Sequence, residues 1–203
     1  MKKNKISKNW IKKQKKDIFV KQSKIEGYKS RAVYKIKEIN EKFKIFNNGM
    51  SIIDLGAAPG SWSQYLAKHI KNGKLLSIDL VEIEKIEGIK HIVGDFTEEK
   101  NKKKIQEYFG EKIDTVISDM AQNTTGNKNL DSINTGELCK EAILFSKNIL
   151  KSKGFFVSKI FMGSSFKEVL ELAKNIFTEV RIYKPLASRR DSKESYIICK
   201  FLR

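Results

Sequence analysis

Three stretches of this 203-residue chain carry residue types at a spacing that could hold a nucleoside. Residues 54–62 read Asp54-Leu-Gly-Ala-Ala-Pro-Gly-Ser-Trp62, directly after the apolar run Ser51-Ile-Ile. An apolar run, a glycine turn and a proline suited to a first helical position predict a strand–loop–helix junction, the kind that cradles a nucleotide-like ligand. Gly56 and Gly60 lack a Cβ, so the backbone there can turn sharply and let a ligand come close. The loop has neither the G-x-G-x-x-G spacing of pyrophosphate binders nor the Lys-Ser/Thr of a P-loop. A loop without a phosphate grip suits S-adenosyl-L-methionine, whose adenosine carries no phosphate. Asp79 ends the run Leu75-Leu-Ser-Ile-Asp79, about twenty residues on, where a carboxylate accepts hydrogen bonds from ribose hydroxyls. That spacing serves any adenosine cofactor, NAD included. Asp95 closes Ile89-Lys-His-Ile-Val-Gly-Asp95 and can accept from an adenine amino group. Each acid alone is as readily a strand-end cap. The three motifs in this order read as a cofactor site.

Four further charged residues sit where a strand meets its loop, or on the helix before the first strand: Lys35, Asp119, Lys159 and Glu194. Lys159 lies within Phe-Phe-Val-Ser-Lys159-Ile-Phe, a costly place for a lysine unless it is paired or functional. Near another cation and partly desolvated, a lysine can act as a base. The plainer alternative is a lysine snorkelling from a strand end.

These residues can converge only if the strand ends share one rim. The apolar pattern predicts helices over Ser30–Phe43, Pro59–Ile70, Thr97–Phe109, Ser132–Leu150 and Phe166–Phe177. It predicts strands over Ser51–Leu55, Lys74–Asp79, Ile89–Val93, Ile113–Ser118, Phe155–Phe161, Glu179–Tyr183 and Ser195–Phe201. Lys151-Ser-Lys-Gly154 reads as the close of the long helix, and Asp119–Asn129 as a polar loop. Alternating strands and helices argue an α/β domain with a doubly wound, mostly parallel sheet of seven strands. No helix separates the last two strands, so one of them is expected to run antiparallel. That would bring Glu194 to the rim shared by Asp119 and Lys159, outside which ligands bind in such sheets.

Composition bounds the partners. The chain holds 41 Lys/Arg against 24 Asp/Glu, a net +17. Residues 1–50 supply +12 of that, and residues 1–16 hold eight lysines and no acid. A nearly balanced body behind a cationic head is the pattern of a nucleic-acid-binding arm. Biased composition would raise lysine everywhere and does not explain the shortage of acid at one end. If the head does not grip RNA, the grip falls to the body cations Lys29, Arg31, Arg189 and Arg190. No apolar h-region follows the N-terminal lysines, and no apolar run approaches a membrane span. Cys139 and Cys199 lack metal spacing and fit reduced thiols in a cytoplasmic protein. His69 and His91 have no ligand partners nearby in sequence, so no metal is expected, and His69 is expected on a helix surface.

The quoted loop resembles that of the FtsJ/RrmJ family of S-adenosylmethionine-dependent ribose 2′-O-methyltransferases of the bacterial RlmE type. The resemblance runs from about Trp10 onward. It is carried by Glu26-Gly-Tyr-Lys-Ser-Arg-Ala-Val-Tyr-Lys35, Asp54–Gln64, Gly94-Asp-Phe96, Ser118-Asp-Met-Ala121, Ser158-Lys-Ile-Phe161, Lys184–Arg189 and Ser192–Tyr196. It implies a Rossmann-like class I methyltransferase fold over residues 29–203, preceded by a basic RNA-binding arm over residues 1–28. It implies a Lys-Asp-Lys-Glu catalytic tetrad at Lys35, Asp119, Lys159 and Glu194. It also implies cofactor contacts at Gly60, Trp62, Asp79, Asp95 and Asp119, alongside Gly56 of the glycine turn. Lys159 is then the base toward a ribose 2′-hydroxyl. The implied substrate is a uridine in the A loop of 23S ribosomal RNA, within the large subunit, acted on by a monomer. Ser61 stands where the family has a second glycine, and Gln122 where a proline is common. Transfer RNA and a messenger cap remain alternative targets. So does an assembly factor that has lost catalysis, while NAD chemistry is disfavoured by the absent G-x-G-x-x-G.

Overall fold

The computed structural model describes residues 17–121 and 127–203. Residues 1–16, which hold the lysine-rich head, and Gln122 lie outside that range. Helix α1 (Ile18–Ile25) and helix α2 (Val33–Phe43) precede strand β1 (Ser51–Leu55) and helix α3 (Ser61–His69). Strands β2 (Lys74–Asp79) and β3 (Ile89–Val93) follow, then helix α4 (Glu99–Phe109) and strand β4 (Ile113–Ser118). Helix α5 (Lys128–Ile149), strand β5 (Leu150–Phe161), helix α6 (Phe166–Ile176) and strands β6 (Phe177–Tyr183) and β7 (Glu194–Leu202) complete the described elements.

The strands form one sheet in the order β3-β2-β1-β4-β5-β7-β6. Neighbours from β3 to β5 pair in parallel, and β7 is antiparallel to both β5 and β6. The expected mostly parallel doubly wound sheet with an antiparallel C-terminal strand is therefore present. Successive side chains on a strand point to opposite faces, so apolar runs are buried on both sides. On β1, Ile53 and Leu55 join Ile105 of α4, Ile143 of α5 and Val169 of α6 in one core cluster. Ile52 joins Ile36 of α2 and Leu66 of α3 in the other. The sheet order reverses between β1 and β4, which opens a crevice at their carboxyl ends. Because β7 runs backward, its first residue, Glu194, pairs with Phe161, the last residue of β5. A residue that begins a strand thereby reaches the rim where the parallel strands end.

Two local expectations need correction, and one element is added. Pro59 does not open the helix: it follows a cis peptide bond, and Gly60 at φ +103° is the N-cap of α3. The backbone spends residues 56–60, between two positive-φ glycines, turning at the end of β1 before α3 starts at Ser61. Lys151-Ser-Lys-Gly154 does not close α5 but forms the start of β5, with a register shift opposite Ile113 and Thr115. Leu150 already pairs with Ile113, so helix and strand abut without a loop. Helix α1 is an addition to the expected elements. Its Asp17 caps the Phe19 and Val20 N–H groups at 3.1 and 3.4 Å, and Phe19 packs on Tyr34 with ring centroids 5.3 Å apart.

Candidate active site

Two lysines and two carboxylates meet at the rim. Lys35 comes from α2, Asp119 from the end of β4, Lys159 from β5 and Glu194 from the start of β7. Lys159 Nζ lies 2.7 Å from Asp119 Oδ1 and also donates to the Asp119 carbonyl at 2.7 Å. Lys35 Nζ donates to Glu194 Oε2 at 2.9 Å and lies 3.6 Å from Asp119 Oδ2. Lys159 Nζ stands 4.0 Å from Glu194 Oε2. All four side chains are at most 17% exposed. The expected tetrad is thus one compact cluster of balanced charge. The β5–β7 register sets Tyr196 beside Lys159, and the Tyr196 hydroxyl donates to Asp119 Oδ1 at 2.5 Å. Trp62 packs on the Tyr196 ring with centroids 5.8 Å apart.

The charges set each other's protonation. Burial works against the Lys35 ammonium, but Asp119 and Glu194 outweigh it and hold that lysine above its ordinary range. Burial likewise disfavours the Asp119 carboxylate, yet Lys159 and Lys35 together hold it below the usual carboxylate range. Burial, reinforced by Asp119 and Glu194, pushes the Tyr196 phenol well above its ordinary value. Asp54, one strand over, is pushed up to about 7 by burial; the Ser63 hydroxyl, 2.7 Å from its Oδ2, only partly offsets this.

Beside the tetrad lies a cleft of about 770 Å³ at the ends of β1, β2, β3 and β4. Gly56, Asp79, Asp95 and Asp119 line it, with Phe96 and Met120 among its apolar walls. Gly56 turns at φ +67°, and a Cβ there would run into the Met120 side chain, so only glycine keeps this wall open. Asp79 accepts from the Ala58 and Val81 N–H groups at 2.9 and 3.0 Å, which fixes the carboxylate and leaves lone pairs for a ligand. Asp95 accepts from the Thr97 N–H and hydroxyl at 2.8 and 2.7 Å. Among the described residues, three carboxylates and no lysine or arginine line the cleft. Such a lining repels a pyrophosphate and suits an adenosine that carries a cationic sulfur, so the cleft fits S-adenosyl-L-methionine.

Next to the cleft, Trp62 lines a small pocket together with Gly56, Ala58 and Asp119. Trp62 is buried and donates through Nε1 to the Ala32 carbonyl at 2.8 Å. Gly60 packs toward Ile83 and Ile86. Neither lines the cleft. Ser61 is buried, and its hydroxyl bonds Ser30 at 2.6 Å, which ties the approach to α2 onto α3. Of the body cations, Arg31 is engaged by Asp17 at 2.6 Å and Lys29 by Glu84 at 2.7 Å, while Arg189 lies 3.8 Å from Asp17. His69 is exposed and stacks on Tyr65, with ring centroids 4.2 Å apart. A groove of about 870 Å³ between α4 and α5 lacks the glycine turn and the strand-end acids.

Residues 28–202 match the family described as FtsJ-like methyltransferase. The chain belongs to that family. It is 59% identical over 203 residues to "Ribosomal RNA large subunit methyltransferase E" of Pelagibacter ubique (strain HTCC1062), covering all of both chains. It is 46% identical to the protein of the same name from Rickettsia akari (strain Hartford), over 94% of this chain and 86% of that one. Among solved structures, a Plasmodium falciparum protein described as a ribosomal RNA methyltransferase superposes with a TM-score of 0.76 at 29% identity, over 86% of this chain and 98% of that one. A TehB-like SAM-dependent methyltransferase from Corynebacterium glutamicum superposes with a TM-score of 0.52, over 81% of this chain and 86% of that one. At 18% identity it shows the shared fold alone. The protein is an S-adenosylmethionine-dependent methyltransferase. Sequence reasoning found the tetrad but passed over Tyr196, Ser188 and Glu38, which hold it. The available signals were the helical spacing of Lys35 and Glu38, and the place of Ser188 and Tyr196 within Lys184–Arg189 and Ser192–Tyr196.

Proposed function

We propose that this protein transfers a methyl group to a ribose 2′-hydroxyl of ribosomal RNA, at a uridine in the A loop of 23S rRNA within the large subunit. The observation that carries the reading is the balanced pair of lysines and carboxylates at the mouth of the cofactor cleft. S-adenosyl-L-methionine supplies the electrophilic methyl on a positively charged sulfur. The protein therefore has to align an in-line displacement and remove one proton. Asp79 holds the ribose of the cofactor, Asp95 the adenine amino group, and Gly56 gives the close approach. Gly60 and Trp62 of the same loop add to the cofactor contacts, Trp62 from the small pocket it shares with Gly56 and Asp119.

Lys159 first gives up a proton to solvent; its neutral Nζ then accepts the 2′-hydroxyl proton as the oxygen–methyl bond forms and the sulfur–methyl bond breaks, leaving methyl ether, S-adenosylhomocysteine and an ammonium paired with Asp119. Lys35, held charged by Asp119 and Glu194, stays a cation beside the reacting hydroxyl. Asp119 is unsuited to take the proton because two lysines hold it as a weak base. Lys35 and Glu194 fix the hydroxyl, and Asp119 fixes Lys159. The cluster is complete within one chain, which supports a monomer. A sulfonium methyl is already activated, so no metal is needed. Residues 1–28 serve as a basic RNA-binding arm ahead of the catalytic domain at 29–203. The protein works in the cytoplasm, with the ribosomes.

The deciding experiment mixes the protein with labelled S-adenosylmethionine and large subunits that lack the methyl group. A label that makes one phosphodiester resistant to alkali marks a 2′-O-methyl ribose. A label on a nucleobase, or on transfer RNA alone, would sink the reading.

A further inference from the structure

Residues 186–188, between β6 and β7, are held from α2 and its approach, and the last of them bonds Glu194. Glu38 stands one turn after Lys35 on α2, so both side chains project from the same helix face. Its carboxylate accepts from two consecutive amides, Leu186 N–H at 2.6 Å and Ala187 N–H at 2.8 Å. The Ala187 carbonyl accepts from the Arg31 guanidinium, which Asp17 holds from the other side. Both sides of residue 187 are thus fixed by charged partners, although Leu186 beside it is 86% exposed. The next residue, Ser188, is buried, and its hydroxyl donates to Glu194 Oε1 at 2.7 Å. The other oxygen of Glu194 takes Lys35 at 2.9 Å. Glu194 is therefore gripped on each oxygen from α2: directly through Lys35, and indirectly through Glu38, the 186–188 backbone and Ser188.

We propose that Ser188 and Glu38 are positioning residues that set the orientation of the Glu194 carboxylate in the tetrad. The inference rests on the catalytic reading of that tetrad. With Oε1 committed to Ser188, Glu194 offers a single oxygen to the lysines. Without the Ser188 hydroxyl, Oε1 is a free acceptor in a crowded cluster of cations. The carboxylate then turns to take a lysine on both oxygens, and the ammonium pair tightens at the moment one proton has to leave. A hydroxyl bonded to a charged group is worth enough to change a rate about tenfold to a hundredfold.

The test uses the full chain, large subunits lacking the methyl group, and S-adenosylmethionine. Ser188→Ala should lower kcat about tenfold to a hundredfold, with KM for the subunits and cofactor Kd unchanged. Glu38→Gln keeps one acceptor and turns an N–H₂ group toward the second amide, so it should lower kcat to a lesser degree. The double variant should lose no more than Ser188→Ala alone, because both act through one carboxylate. A Ser188→Ala enzyme with unaltered kcat overturns the proposal. So does one that loses cofactor affinity and melting temperature in step with kcat, which marks a purely structural role. So does a double variant whose losses multiply. Lys159→Ala in the same assay separates the two readings: its failure to lower activity would remove the tetrad itself, whereas an inactive Lys159→Ala beside a normal Ser188→Ala removes only the positioning role.

Discussion

Asp54 and Asp119 stand near the ends of neighbouring strands, both shielded from water, and their carboxyls are pushed in opposite directions. Asp54 is 1% exposed, and the Asp119 side chain 17%. Asp54 has the Ser63 hydroxyl for a partner and is pushed up to about 7. Asp119 has Lys159, Lys35 and the Tyr196 hydroxyl, and is held below the usual range. Burial disfavours the anion at both. The difference lies in the company of charge: two ammonium groups within 3.6 Å keep one acid ionised, and the uncharged hydrogen bonds from Ser63 fail to keep the other so. A rim that must stay charged is therefore built from pairs, while the floor below it carries an acid that loses its charge near neutral pH.

The largest effect expected from breaking this contrast is on catalysis. Lys159→Ala removes the proposed base and the nearer partner of Asp119, and leaves the cleft lining intact. Methyl transfer should fall by about 10²–10⁴-fold with cofactor affinity retained. Calorimetry alongside single-turnover transfer checks both halves. Equal loss of cofactor affinity in a folded variant would make Lys159 a structural cation.

Next comes stability. A folded Asp54 that holds its proton to about pH 7, against an ordinary value of 3.8, binds more protons than the unfolded chain between those values. Its contribution to stability is therefore complete below the ordinary value and declines as pH rises toward 7. Asp119 has the opposite sign: its contribution is present at neutral pH and is lost in acid. Asp54→Asn keeps an acceptor for Ser63 and removes the titration. Urea unfolding of both forms at pH 5 and pH 8 should show wild type losing about 3 kcal/mol more than Asp54→Asn across that range. Parallel pH profiles for the two forms would mean that Asp54 stays ionised.

Asp79 tests a third arrangement, a half-buried acid held by backbone amides alone. Asp79→Ala should weaken S-adenosylmethionine binding by roughly 1–3 kcal/mol, because ribose hydroxyls lose a charged acceptor. Titration calorimetry showing unchanged affinity would take Asp79 out of the site.

The sheet was legible from the sequence because its strands are apolar runs punctuated by glycine and acid. Every strand was found, and one of the last two was expected to run antiparallel because no helix separates them. Helix α1 escaped because its periodicity is inverted. Ser23 is its buried residue, while Ile18 and Ile25 are exposed at 75% and 85%. The start of β5 escaped because Leu150 ends a helix and enters a strand without an intervening turn. The tetrad could be read because each member is a charge at a strand end or on a preceding helix face. Its supports could not. Glu38 reaches from α2 to the far C-terminal part of the chain through backbone amides, and Ser188 reaches Glu194 through one hydroxyl across an irregular loop. No local pattern marks such bonds.

The smallest effect per group is expected where lysines have no acid near them in sequence. Asp119 shows that buried charge is tolerated when it is matched, and residues 1–16 hold eight lysines with no acid among them. If matching is the rule, their partners are supplied from outside, by RNA phosphates. Each phosphate contact releases condensed counterions, so each one lost should flatten the log–log salt dependence of RNA binding by about 0.7–0.9. Deleting residues 2–8 removes four lysines and keeps Trp10. Binding to large-subunit RNA should weaken and its salt slope should flatten, while cofactor affinity stays as it was, since the cleft is lined by other residues. The measurement is RNA affinity at several salt concentrations for both forms. Equal affinity and equal slope would assign the lysines to composition alone. The grip on RNA would then fall to Arg189, Arg190 and the exchangeable Lys29–Glu84 pair, because Arg31 is already committed to Asp17 and the Ala187 carbonyl.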